Sequence, residues 1–180
     1  RSFVDGKFKG VCKPDDKYWE PDNPDKWDWS AGIFTKYFST ILNEKNKKFK
    51  LTSIDINKDA LYVSKKMNNN TKEYIEFRLC SSENYIKNQP KKTLDLLYLD
   101  TGNMDEATAQ LHLREAKLLV ENQIIKDDGI ILIDDVRNPV MILKTKEKNK
   151  YGKSKYAIPY LLENGYEIIE DEYQIILKKK

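Results

Sequence analysis

Two stretches decide the reading of this chain, 94-LDLLYLD-100 and 129-GIILIDDV-136. Both are close to continuously apolar. The first closes on Asp100, the second on Asp134 and Asp135. Strands buried on both faces read this way, because a parallel sheet covered by helices leaves no wet face for a polar alternation. Two further β-rich runs precede them, FKLTSIDI (49–56) and YIEFRL (74–79), and a shorter one, SFVD (2–5), opens the chain.

Helical patterns fill the intervals. In SAGIFTKYFSTILNEK, the sets Ile33, Tyr37, Ile41 and Phe34, Phe38, Leu42 fall at helical spacing behind Ser30, a suitable N-cap. KDALYVSKKMNN repeats the pattern with Leu61, Val63 and Met67. DEATAQLHLREAKLLVENQII places Leu111, Ala116 and Leu119 on one side, with Asp105 and Glu106 at the positive end. Strands alternating with helices predict βαβ units and a parallel sheet. The tail differs: IPYLLENGYEIIEDEYQIILKKK predicts a helix stopped by Gly165, then YEIIEDE and YQIILKK. Their connection is too short for a parallel crossover, so an antiparallel hairpin is expected.

The 180 residues suit a single domain spanning 1–180, with neither repeat nor linker. The most linker-like stretch is 137–156, dense in lysine. A net charge of +3 is too small to argue for nucleic acid. No apolar run approaches a membrane span, so no membrane partner is expected. Cys12 and Cys80 make neither a disulfide framework nor a zinc site, which points to a reducing, cytoplasmic compartment. Cys80 is read as a small buried hydrophobe. The start, RSFVDG, is abrupt, as if an element had been cut.

Ligands of open parallel sheets bind at the carboxyl ends of the strands. Those ends carry Asp5, Asp55, the turn Cys80-Ser81-Ser82, Asp100 and Asp134–Asp135. Aspartate is also common in strand-to-helix turns, which is the plain reading of any one of them. Asp55 is the most specific: an acid closing that strand accepts from both ribose hydroxyls in dinucleotide-binding folds, so a nucleoside ligand is expected. Gly6 and Gly10, in VDGKFKG, would let the backbone approach that ligand. The segment is not GxGxxG, which argues against nicotinamide cofactors.

The order of these features resembles the class I S-adenosylmethionine-dependent methyltransferases, in particular the small O-methyltransferase-like branch. The resemblance runs from about residue 30 to the end, on SAGIFTKYFSTIL entering KLTSIDIN, IEFRLCSSENYI, LDLLYLDTGN, GIILIDDV and YAIPYLLENGYEII. It implies an α/β, Rossmann-like, mostly parallel seven-stranded sheet with helices on both faces and a C-terminal antiparallel hairpin. It implies S-adenosylmethionine as cofactor, with Asp5 and Gly6 beside its methionine part, Asp55 on the ribose, Ile56 on the adenine, and Ser81 and Ser82 where relatives carry an acid for the adenine amine. Asp100 would stand beside the reacting methyl, and Asp100 and Asp134 would carry catalysis on a hydroxyl of a small-molecule acceptor. Some relatives hold a divalent metal with an Asp and an Asp-Asn pair at these strand ends. Here Asp100, Asp134 and Asp135 would form a hard-oxygen trio for Mg²⁺. The alternative is that the acid pair caps a turn and orients Arg137.

The remaining motifs sit in loops. Trp19, Trp27 and Trp29 all fall in one Asp- and Pro-rich stretch with Tyr18. Tyr18, Trp19, Trp27 and Trp29 are expected either to build part of a cover over the cofactor or acceptor or to form the loop's own small core. The lysine run 144–155 reads as a solvated loop, or as a lid in which Tyr151 and Tyr156 stack on the acceptor. His112, the only histidine, lies inside its helix and reads as packing or surface rather than catalysis. Relatives carry helices before the first strand and none is read here, so the expectation is either that a homo-oligomer or partner subunit supplies that wall or that the chain has been cut. Two other functions stay open: a non-catalytic methyltransferase-like domain in a larger assembly, and an NAD-dependent oxidoreductase.

Overall fold

The computed structural model describes residues 2–4, 7–9, 32–45, 48–102, 104–136 and 151–180. They belong to two compact units, residues 1–81 and 82–180.

The first unit opens with β1 (Ser2–Val4) and β2 (Lys7–Lys9), paired antiparallel with Phe3 opposite Phe8. This corrects the expectation of a first parallel strand followed by a glycine loop. Only Asp5 and Gly6 separate the two strands, and so short a connection joins antiparallel neighbours only. Asp-Gly is itself a favoured hairpin dipeptide. Next come α1 (Ile33–Glu44), β3 (Leu51–Asp55), α2 (Lys58–Met67) and β4 (Ile75–Leu79). Gly32 is the N-cap residue of α1. Phe34 stacks on Phe38 at 5.7 Å, but Tyr37 is turned outward. Ser39 is fully buried instead, hydroxyl to hydroxyl with Thr71 at 3.0 Å. In α2 the expected face is the buried one: Ala60, Leu61, Val63 and Met67. Strands β3 and β4 pair in parallel, from Leu51 opposite Ile75 to Asp55 opposite Leu79.

The second unit holds α3 (Ser82–Lys87), β5 (Leu94–Leu99), α4 (Glu106–Asn122), β6 (Ile125–Ile133), α5 (Ala157–Glu163), β7 (Tyr166–Asp171) and β8 (Ile175–Lys179). Its sheet has the order β5-β6-β8-β7, with β5 and β6 parallel and β8 antiparallel to both neighbours. The expected hairpin is present, and Gly165 ends the helix before it at φ 87°. Ile131, Ile133, Ile175 and Leu177 are fully buried, under Ala116 and Leu119 of α4 and Ile158 and Leu161 of α5. Burying such an aliphatic side chain contributes roughly 1.5–3 kcal/mol, so these residues account for much of the unit's stability. Asp105 caps α4, accepting from Thr108 N at 2.8 Å.

Two expectations change. Strand β6 begins at Ile125, four residues before the expected Gly129, because Ile124 and Ile125 are buried at its start. The seven-stranded sheet is replaced, among the described residues, by a hairpin, a parallel pair and a four-stranded mixed sheet. The run expected to open one continuous sheet is taken up in the β1–β2 hairpin.

Candidate functional site

The sequence places polar side chains at the ends of β3, β5 and β6, and the local chain path explains what each can do. In the first unit Asp55 closes β3. Its Oδ1 accepts the Asn57 N–H at 2.8 Å, which fixes the carboxylate's orientation. Oδ2 accepts no hydrogen bond among the described residues. Ile56, the next residue, is 77 % exposed, and Leu79, opposite Asp55 on β4, is 60 % exposed. Two bare aliphatic side chains flanking an oriented acid is an unusual use of surface, since large apolar groups normally go inside. It suits a ligand with a flat apolar part and vicinal hydroxyls. Ser81 is half-buried in the turn after β4, and Cys80 is half-exposed rather than buried as expected.

In the second unit the parallel pairing of β5 with β6 brings Asp100 and the Asp134–Asp135 pair to one end of the sheet, where Asp134 N donates to Leu99 O at 3.0 Å. Asp135 sits in the left-handed region, φ 57°. Between these acids lies Lys153, whose side chain is 1 % exposed. Its Nζ donates to Asp100 Oδ1 at 2.6 Å and to Asp135 Oδ2 at 3.3 Å. Tyr173 donates its hydroxyl to Asp135 Oδ1, and Tyr98 donates to Asp134 Oδ2. Asp134 Oδ1 accepts from Gln174 Nε2 at 3.0 Å and from Asp135 N at 2.8 Å.

Of the six carboxylate oxygens, only Asp100 Oδ2 is left open among the described residues. Mg²⁺ is held through one or two free carboxylates and completes its shell with waters; with five of these six oxygens already bonded, two of them to a buried ammonium, this arrangement does not fit the expected Mg²⁺ site. Nor does any group of three or more His, Cys, Asp or Glu among the described residues stand ready to hold a metal ion. The expected trio is brought together, but an ammonium takes the cation's place.

Burial raises the Asp100 pKa, and Asp134 and Asp135 add to the rise against the downward pull of Lys153. Tyr98 and Tyr173 are raised too, first by burial and then by the acids around them. The outer face of Asp100 is open: its side chain is 45 % exposed.

Lys153 belongs to a turn, residues 151–155, that the sequence reading assigned to a solvated lysine run or lid. Gly152 makes its close approach possible. At φ 52° it lies so near the chain following β6 that a Cβ would meet Asp135 O at 2.9 Å and Val136 O at 3.0 Å. Ser154, fully buried, lies 2.7 Å from His112 Nδ1. His112 Nε2 faces Thr101 O at 3.1 Å. A carbonyl only accepts, so Nε2 carries the proton and Nδ1 accepts from the Ser154 hydroxyl. His112 is therefore packing, as expected, and also a clasp between the chain after β5 and the lysine turn. Burial lowers its pKa to about 4, helped by Lys153 and opposed by Thr101 O. Thr101 Oγ1 donates to the buried Glu115 at 2.9 Å. Burial raises Glu115, with Ser82 and Thr101 pulling it back. Ser82 thus starts α3 and serves this buried network.

Tyr151 packs, half-buried, against the core, while Tyr156 is exposed with Lys155 Nζ 4.9 Å from its ring centre. Lys155 also pairs with Glu106 at 2.7 Å. Asp5, Gly6, Gly10, Tyr18, Trp19, Trp27, Trp29, Ser30 and Arg137 lie outside the described residues. Sequence reasoning missed Lys153. The available signal was Gly-Lys-Ser immediately before a helical pattern, masked by the lysines around it.

A family model described as a methyltransferase domain matches residues 29–136. Three solved structures are similar in fold. One is an SAH-bound methyltransferase from Podospora anserina, at 12% identity and TM-score 0.56, covering 76% of this chain and 63% of that one. A protein from Corynebacterium glutamicum has 14% identity and TM-score 0.58, covering 83% and 68%. The Methanococcus jannaschii fibrillarin pre-rRNA processing protein has 16% identity and TM-score 0.58, covering 83% and 63%. The chain thus spans less than two thirds of the Podospora protein. No curated protein sequence matches it. At these identities the likeness is one of fold: an α/β, Rossmann-like methyltransferase fold. Among the described residues no helix is long and apolar enough to cross a membrane.

Proposed function

The chain belongs to the methyltransferase domain family, and from that premise we propose that it is an S-adenosylmethionine-dependent methyltransferase acting on a hydroxyl of a small molecule. The family match crosses the boundary between the two units, which supports reading residues 1–180 as one methyltransferase-like domain.

The observation that carries the cofactor assignment is the end of β3. Asp55 presents an oriented carboxylate with one oxygen open, and Ile56 and Leu79 present bare aliphatic surface beside it. The acid suits the ribose hydroxyls, and the aliphatic pair suits the adenine. The similar Podospora anserina methyltransferase is SAH-bound, which agrees with this choice of ligand. When bound, the cofactor supplies a methyl group already activated on a sulfonium.

What remains for the chain is to orient the acceptor and take its proton. Asp100 suits that role. One of its oxygens is anchored to Lys153, the other is open, and its raised pKa makes it a better base than an ordinary aspartate. An acceptor O–H would give its proton to Asp100 Oδ2. Asp134 is held on both oxygens by Tyr98, Gln174 and Asp135 N, so it acts through position and charge.

The experiment is an assay of S-adenosylhomocysteine release over a panel of small hydroxylated acceptors. Turnover that falls about 100-fold or more in Asp100→Asn, with cofactor affinity unchanged, is the expected result for loss of a general base. Equal turnover in the variant would remove Asp100 from that role.

A further inference from the structure

We infer that Lys153 is a built-in cation of the carboxylate cluster, standing where Asp100, Asp134 and Asp135 would otherwise recruit a divalent metal ion. The inference does not depend on methyl transfer, because it concerns the charge balance of the cluster alone.

Three carboxylates gathered at one sheet end repel one another and need a counter-charge. A metal ion is one answer, and a fixed ammonium is another. The turn that carries Lys153 is fastened at each of its positions. Gly152 lies against the carbonyls of Asp135 and Val136. Ser154 is clasped by His112, and Ser154 N donates to Tyr151 O at 2.9 Å. Lys155 is tied to Glu106. The ammonium itself is closed off from solvent and bonded to two of the three acids. A lysine head is compact enough to sit where a cation would, and it lacks the exchange freedom of a dissociable ion. Its consequence for the site is directional. With Lys153 on Asp100 Oδ1, Oδ2 is left as the one open oxygen of the three carboxylates among the described residues. Lys153 is thus a positioning residue, acting through Asp100.

The test is a titration of the whole chain with Mn²⁺, followed by electron paramagnetic resonance of the free aquo ion. Wild-type protein is expected to leave the free-ion signal intact. Lys153→Gln is expected to take up one equivalent of Mn²⁺, and the added change Asp100→Asn is expected to abolish that uptake. Stoichiometric Mn²⁺ binding by wild-type protein that disappears in Asp100→Asn would overturn the inference, and this arm needs no lysine variant to fold. A folded Lys153→Gln protein, checked by circular dichroism, that still ignores Mn²⁺ would overturn it as well. Absence of methyl transfer in either protein would bear on the proposed function and leave this result standing.

Discussion

Lowering the pH from 7 to 4 should destabilise the protein through His112 by an amount that the structure fixes. The ring is fully buried and held neutral: Nδ1 accepts from Ser154, and Nε2 donates to Thr101 O. Its pKa falls from 6.5 to about 4. Between those values the unfolded chain binds a proton that the folded chain refuses. The stability tied to this group is therefore fully present above pH 6.5 and is lost as the pH falls toward 4. A depression of this size corresponds to about 3 kcal/mol, at roughly 1.4 kcal/mol per pH unit. Glu115, which burial raises, belongs to the same network and titrates with its own pH dependence, so the wild-type curve alone is not decisive. The difference between wild type and His112→Gln is. Glutamine keeps a donor for Thr101 O and cannot take up the proton. Urea unfolding at pH 4, 5, 6 and 7 should show the wild type losing about 3 kcal/mol more than the variant over this range. Parallel curves for the two proteins would refute the buried, neutral clasp.

Three other perturbations probe the same architecture. Lys153→Met leaves Asp100 and Asp135 without their ammonium, and breaking such a buried pair should cost about 3–5 kcal/mol in urea unfolding at pH 7. Gly152→Ala forces a Cβ toward two backbone carbonyls at a positive φ, so a loss of about 1–3 kcal/mol is expected, read as a lower thermal midpoint. Ile56→Ser should leave stability within about 0.5 kcal/mol, because the side chain is exposed, while weakening S-adenosylhomocysteine binding in calorimetry.

Much of the second unit is legible in the sequence because burial on both faces leaves a strong mark. Leu94–Leu99 and Ile131–Ile133 carry almost no polar residue to hide it. The hairpin is legible from Gly165 and from the short join between β7 and β8. The start of β6 is less so, since Lys126, Asp127 and Asp128 interrupt the apolar run. In the structure Lys126 pairs with Asp95 and Asp127 with Lys92, at 2.6 Å each. Tyr37 shows the limit of periodicity: its spacing suits a buried face, yet the buried residue is Ser39, which finds a hydroxyl partner 32 residues away. At the candidate site, Asp55 and Asp100 could be picked out because strand ends are where this sheet type binds ligands. Lys153 could not. Its burial depends on Gly152 approaching the carbonyls of Asp135 and Val136, after β6, and on the Ser154–His112 bond across 42 residues, and neither is a local property of the sequence.

The central claim, that the chain binds the methyl-donor nucleoside through the end of β3, is tested most directly by calorimetric titration with S-adenosylhomocysteine, using NAD as the control. One saturable site for S-adenosylhomocysteine is expected, with no heat from NAD and a dissociation constant raised at least about tenfold in Asp55→Ala, equivalent to ~1.4 kcal/mol. No binding by the wild-type chain, or the same affinity in wild type and Asp55→Ala, would contradict it.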